Sequence, residues 1–365
     1  MTTPTNKESA SSKPPILVSS TAATKFTTSL LTASSVPPHS AQTIADALVL
    51  ADLRGVESHG INRLPSYLAR LRAGILSPTA EPTLTQTTLV VAQIDGQNAF
   101  GFLSAQLGID TAISMARTYG IGMVSVKHSN HFGMSAWIVQ RAVDQGMMSL
   151  VFTNSSPALP VWGGMKPLMG VSPIACGAPG GKEGRPFILD MAPSVAARGK
   201  VYKALRRGER IPTDWGLDKH GRTTDDPAEV LDGGVMLPIG GPKGSGLAIM
   251  MDVFSGVLSG SAFAGGVTGP YDLSKEGNVG HFFVVVKPDL FMSLDEFRAR
   301  MDVLYKTVVE SELRMAGVDR IYFPGEIELD REAERRKSGI PYSTEEIETL
   351  NKEADRLGVA HIETM

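Results

Sequence analysis

The chain has 365 residues, 42% hydrophobic and 20% charged, with a formal net charge of -3. That length exceeds what one core usually covers and predicts two domains, while the lack of positive excess or of a basic tract argues against a nucleic-acid partner. The single cysteine, Cys176, excludes an intramolecular disulfide, and no apolar run suits a signal peptide or membrane span, so a reducing, cytoplasmic setting is expected.

Residues 1–20 are rich in Ser, Thr, Pro and Lys and read as a disordered tail. A mitochondrial presequence fits less well, because the stretch lacks arginine. Apolar residues recur at helical spacing between Ser40 and Arg54, then through Tyr67, Leu68 and Leu71 to a stop at Gly74. Ser58–Arg63 is therefore a polar junction between helices. Leu84–Ile94 reads as strand, Ala105–Thr118 as helix, and Gly122–Val126 as a buried strand delivering Lys127–Gly133 at its end. From Gly146 to about Val286, short β-type runs (Met148–Thr153, Phe187–Leu189, His281–Val286) alternate with Gly and Pro, which predicts a domain rich in strands and loops. Leu294–Met315 and Ser343–Leu357 read as helices, and no solenoid-period repeat is present.

No G-x-G-x-x-G joins a strand to a helix, so a Rossmann domain is not expected. Gly240-Gly-Pro-Lys-Gly-Ser-Gly246 before Leu247–Met251 is the best anion cradle, with a tight turn before a packed helix as the plain alternative. Ser58-His59-Gly60 with Arg63 pairs an imidazole with a guanidinium. Oxidation of a 2-hydroxy acid needs both, a fork for the carboxylate and a base for the hydroxyl proton; a capping serine with surface His and Arg is the alternative. An imidazole at its ordinary pKa would make the rate depend on pH around neutrality. His128-Ser-Asn-His131 could be half of a metal site, but no H-E-x-x-H accompanies it, which disfavours a metal-dependent hydrolase or lyase. Asp190-Met-Ala-Pro-Ser194 with Arg198-Gly-Lys200, and Asn154-Ser-Ser-Pro157, are further polar knots at strand ends that either bind ligand or serve as turns and surface pairs.

Taken in order, these segments resemble the type 2 malate/L-lactate dehydrogenase family, which is distinct from the Rossmann lactate and malate dehydrogenases. The resemblance runs from Asp52-Leu-Arg-Gly-Val-Glu-Ser-His-Gly60 with Arg63 and Tyr67, through Ser129–Gly133, Asn154, Gly163-Gly164 and Gly170–Pro173. It continues in Leu189–Ser194, Gly199-Lys200, Pro238–Gly244, Asn278–His281 and Phe323–Glu326.

The resemblance implies a non-Rossmann α/β (α+β) fold with a strand-rich nicotinamide-binding domain at 146–289 and a helical, substrate-binding domain made from 21–145 plus 290–365. It implies NAD or NADP as cofactor, a small 2-hydroxy or 2-oxo acid as substrate, and a homodimer. By position it carries catalytic roles to His131, His59, Ser58 and Lys200, and substrate contacts to Arg63, Tyr67, Asn154 and Ser172. It carries cofactor contacts to His131, Phe132, Gly133, Met134, Ser135, Asp190, Met191, Ala192, Gly241, Lys243, Gly244, Pro324, Gly325 and Glu326, with no metal. Val171-Ser172 stands where relatives often have Thr-Asn, and Lys200 where cyclic-imine reductases have Asp. An ammonium near the reacting carbon favours a keto acid over the rival substrates, a cyclic ketimine or ureidoglycolate.

Overall fold

The computed structural model describes residues 14–312 and 314–365. Strand β1 (Ile16–Val18) leads to Ser19, whose side chain accepts the Ala22 N–H and starts α1 (Ser20–Ala33). Pro38 opens α2 (Pro38–Leu53), two 3-10 turns (Glu57–His59, Ile61–Arg63) follow, and α3 (Leu64–Arg72) completes the first helical layer. A hairpin, β2 (Thr83–Gln86) and β3 (Val91–Asp95), precedes α4 (Gly101–Tyr119), β4 (Ile121–Ser129), α5 (Ala136–Asp144) and β5 (Met148–Thr153). Next come β6 (Pro157–Leu159), β7 (Met169–Gly170), β8 (Ile174–Ala178), β9 (Phe187–Met191), α6 (Arg198–Arg207), β10 (Gly216–Leu217), α7 (Pro227–Leu231) and β11 (Val235–Met236). The chain ends through α8 (Pro242–Asp252), β12 (Val279–Val286), α9 (Leu294–Val309), α10 (Glu326–Ser338), β13 (Ile340–Tyr342) and α11 (Thr344–Leu357).

Seven strands form one sheet in the order β2-β3-β4-β12-β5-β8-β9, antiparallel except for β3 beside β4. Strand β12 lies in the middle although it is the last of the seven in sequence. Both its faces are covered, so its Val279–Val286 run is apolar almost throughout rather than alternating. Helices α4 and α5 pack on one face. A Cβ on Gly122 of β4 would lie 2.2 Å from the Ala112 carbonyl, so glycine there lets α4 sit against the strand. On the other face Met251 packs with Phe152 and Phe282. A smaller core, built on Leu159, Val201, Ala204, Val230 and Met236, holds the lobe between β6 and β11. The C-terminal segment returns to the N-terminal helices: β13 pairs with β1, α10 packs on α2, and α11 on α1 and α3.

Several expectations change. Leu84–Ile94 is two strands, because the chain turns where the Thr87 and Thr88 N–H groups meet the Val91 carbonyl. The helix expected over Leu294–Met315 stops at Val309. Residues 1–13 of the tail lie outside the described residues, but 16–18 are a paired strand and α1 begins at Ser20. The sheet draws strands from both sides of the division at residue 145, since β5 pairs through β12 with β4. Helix α10 was not expected: its sequence is charged throughout and buries only Glu326, so it lacks an apolar stripe.

Candidate active site

The Ser58–Arg63 junction is held from behind by a carboxylate. Asp52, fully buried at the end of α2, accepts from the Ile61 N–H (2.9 Å) and the Tyr342 hydroxyl (2.8 Å) through one oxygen. Its other oxygen has no partner, and a Cβ on Gly60 would lie 1.7 Å from it, so only glycine lets the turn pass this close. Burial raises the Asp52 pKa to about 7. The turns aim Ser58, His59 and Arg63 at one place without a continuous helix. Ser58 Oγ meets His59 Nδ1 at 2.9 Å, and Arg63 Nε donates to the Ser58 carbonyl at 2.6 Å. A second Arg63 nitrogen donates to the Tyr271 hydroxyl at 3.1 Å, which leaves part of the fork free.

His131 arrives from the far side, on the loop between β4 and α5. Its ring stacks on His59 with centroids 5.4 Å apart, and its Nδ1 meets the Tyr67 hydroxyl (2.7 Å) and the Gly133 N–H (3.2 Å), leaving Nε2 for a ligand. Burial, then the Arg63 charge and the neighbouring imidazoles, hold His131 well below the usual histidine pKa. Burial and Arg63 lower His59 to about 3. Both rings are therefore neutral at neutral pH, contrary to the unperturbed value expected from sequence. Behind them the buried His281 bridges Thr153 Oγ1 and Ser129 Oγ, each at 2.8 Å, and packs its ring 4.6 Å from Phe132.

These groups open onto a cavity of about 600 Å³. Of the expected residues, Ser58, His59, Tyr67, His131, Phe132, Gly133, Met134, Ser135, Asn154, Asp190, Ala192, Pro324 and Gly325 line it. Asn154 does so with its amide already committed, donating to Asp252 and the Ala262 carbonyl and accepting from the Gly280 N–H. Asp190 accepts the Ala136 N–H at the start of α5 (2.8 Å); although exposed to the cavity, its depth in the cleft raises its pKa to about 6. Ser172 is buried between two lining residues, Val171 and Pro173, and Arg63 stands at the edge.

Other expected residues lie elsewhere. Lys200 is exposed on α6, which turns Val201 and Ala204 inward, and it is not among the residues lining the cavity of this protomer. Gly241 caps α8, and Lys243 and Gly244 lie in its first turn: a Cβ on Gly241 would meet Trp162, one on Gly244 the Ile239 backbone, and Lys243 is exposed. Met191 is outside the lining. Glu326 is buried, taking the Tyr305 hydroxyl, the Phe323 N–H and the Arg320 guanidinium, so it braces the Pro324-Gly325 turn rather than facing a ligand. His128 pairs with Asp95 at the surface (3.1 Å), away from His131. Among the described residues no three metal-ligating side chains converge.

Three contributors carried no signal in the sequence. Arg70 donates to the carbonyls of Gly269, Asp272 and Lys275, which holds the 267–277 loop against the cleft. Thr268 of that loop lines the cavity, as does Glu328 of α10. Only the fold brings them near His131.

The geometry has counterparts. The malate/L-lactate dehydrogenase family profile matches residues 18–351. The chain belongs to this family. It is 35% identical over 345 residues to malate dehydrogenase from Pyrococcus abyssi, covering 93% of this chain and 94% of that one. With (2R)-3-sulfolactate dehydrogenase (NADP(+)) from Chromohalobacter salexigens it shares 34% identity over 293 residues, 80% of this chain and 86% of the other. The solved sulfolactate dehydrogenase from Methanocaldococcus jannaschii superposes with a TM-score of 0.90 at 32% identity, covering 95% of this chain and all of that one. The expected fold and reaction class both stand: the protein is an NAD(P)-dependent oxidoreductase that interconverts a 2-hydroxy acid and its 2-oxo acid. The cavity suits such a cofactor and a small acid, since the hydroxyls of Ser155 and Thr268 are buried in its wall without protein partners.

Proposed function

We propose that Arg63 holds the substrate carboxylate with the free part of its fork while His131 Nε2 exchanges the hydroxyl proton. The observation that carries this is the junction itself: Arg63, His59 and His131 meet at one end of the cavity, with His131 oriented by Tyr67. The Tyr67 hydroxyl can donate to Nδ1 or accept from it, while the Gly133 N–H on the same nitrogen can only donate. Ser58 orients His59, whose stacked ring keeps water from His131. Bound NAD(P) supplies the hydride donor or acceptor, and Phe132–Ser135, Asp190, Ala192, Pro324 and Gly325 are placed to hold it.

The direct test follows nicotinamide absorbance with NADH and NADPH in turn against pyruvate, oxaloacetate, a longer 2-oxo acid and a cyclic ketimine. Oxidation with a 2-oxo acid supports the assignment, and activity with the imine alone moves it to the rival reductase. We further propose a homodimer in the cytoplasm. No described helix is long and apolar enough to cross a membrane. Ile249, Val253 and Val257 form an exposed apolar stripe at i, i+4 spacing along α8 and the turn after it, a surface of the kind that partners cover.

A further inference from the structure

Arg63 is held at two points, and the second comes from a distant side chain that faces solvent. Its Nε donates to the Ser58 carbonyl at 2.6 Å, a bond local to its own turn. One terminal nitrogen donates to the Tyr271 hydroxyl at 3.1 Å, and the guanidinium carbon lies 5.5 Å from the centre of the Tyr271 ring. Tyr271 is 72% exposed, so its placement against Arg63 is not a by-product of core packing.

The backbone that presents Tyr271 is itself fixed. The Asp272 N–H bonds the Gly269 carbonyl at 3.1 Å and closes a turn with Pro270 at its first corner, where the ring's fixed φ is favoured, and Tyr271 at its second. Arg70 donates to the carbonyls at both ends of this turn, Gly269 at 3.2 Å and Asp272 at 2.5 Å. Arg63 and Arg70 are seven residues apart on one helical stretch and so share a face. That face carries both the guanidinium that clamps the turn and the guanidinium that its tyrosine touches. Pro270 lines the cavity, which puts the contact at the cavity's edge.

A guanidinium on a long side chain samples many orientations, and a ligand that needs one of them loses that entropy on binding. The bond from Nε alone leaves the end of the side chain free to swing, whereas a second bond on a terminal nitrogen fixes its plane. Of the five N–H groups two are then committed, and the other three, all on the terminal nitrogens, remain for a carboxylate. Resting on the reading that Arg63 holds the substrate carboxylate, we infer that Tyr271 is a positioning residue that sets the plane of the Arg63 guanidinium before the acid arrives. That restraint serves the ground state and the transition state alike, so it acts on KM and not on kcat.

Tyr271→Phe, Tyr271→Ala, Arg63→Lys and the double variant Tyr271→Phe/Arg63→Lys are compared as full-length enzymes, with the 2-oxo acid and the nicotinamide that serve the unaltered enzyme best. Tyr271→Phe should raise KM for the acid about threefold or more and Tyr271→Ala about tenfold or more, with kcat changed by less than about twofold. The Kd of the reduced cofactor, read from its fluorescence, should stay the same. A lysine has no plane to set, so in the Arg63→Lys background Tyr271→Phe should change KM by less than about twofold. A Tyr271→Ala enzyme whose KM matches that of the unaltered enzyme overturns the inference. So does a Tyr271→Phe effect of equal size in both backgrounds, because the hydroxyl then acts independently of Arg63. An Arg63→Lys enzyme with unchanged KM brings down the carboxylate reading and the inference together, whereas a strong Arg63→Lys effect beside silent Tyr271 variants overturns the inference alone.

Discussion

At the scale of single residues, the acid/base role proposed for His131 is testable through its environment, in which Tyr67 meets Nδ1 and burial lowers the ring's pKa. Oxidation requires the unprotonated ring, and a depressed pKa keeps that form present throughout the neutral range. The kcat/KM for oxidation should therefore be flat from about pH 6.5 to 8.5 and fall only on the acid side. Reduction requires the protonated ring, so its kcat/KM should decline with rising pH over the same interval. An acid limb in oxidation centred near the ordinary histidine pKa would show that the ring is not desolvated as described. Replacing His131 with Ala should lower kcat by about 10²–10⁴ with bound cofactor unaffected, as expected for loss of a positioned acid/base. Tyr67→Phe leaves the ring in place without its 2.7 Å partner, and should cost about tenfold in kcat with little change in KM.

At the scale of elements, short turns and a fastened loop do what a regular helix cannot. The two 3-10 turns between α2 and α3 present Ser58, His59 and Arg63 together because Asp52 and Gly60 let the chain cross so closely behind them. Opposite, the 267–277 loop has no regular structure, and Arg70 gathers three of its carbonyls with one guanidinium. Arg70→Ala should release it: KM for the hydroxy acid rises about tenfold or more, and limited proteolysis within 267–277 becomes faster. Unchanged proteolysis would mean that the loop is held by its own turns. None of this was legible beforehand, because a guanidinium reaching backbone carbonyls leaves no pattern in sequence. The Ser58-His-Gly-x-x-Arg63 cluster, by contrast, was legible as chemistry because its parts are close in the chain.

The whole molecule is tied together at Asp52, which joins the active-site junction to Tyr342 of the C-terminal strand, itself paired with β1. Its folded-state pKa of about 7 lies above the ordinary carboxyl value of 3.8, so its contribution to stability is fully present below 3.8 and is lost as pH rises through about 7. The full effect is at most about 4 kcal/mol. Asp52→Asn keeps an acceptor for Ile61 and Tyr342 but cannot ionise. Its Tm relative to the unaltered protein should therefore rise by several degrees between pH 5 and pH 8. A constant difference across that range would show that Asp52 does not titrate there. Assembly is tested at the same scale: Val257→Glu, placed in the exposed apolar stripe, should shift the mass measured by light scattering from dimer towards monomer.

Sequence alone determined what depends on neighbours along the chain. Apolar spacing located α2 and α3, Ala105–Thr118 and the charged Ser343–Leu357 were read as the helices that became α4 and α11, the missing G-x-G-x-x-G removed a Rossmann domain, and the ordered motifs pointed to the family. Only the tertiary structure decided what depends on packing between distant segments. Lys200 and Lys243 had suitable chemistry but are exposed and outside the cavity lining, because α6 and α8 bury their other faces. Arg70 and Asp52 acquire their roles from residues about 200 to 290 positions away, brought close by β12 in the centre of the sheet and by the return of the C-terminal segment to β1. Side-chain type and local spacing are written in the chain, whereas burial, free hydrogen-bonding capacity and the face a helix turns inward exist only once the layers have packed.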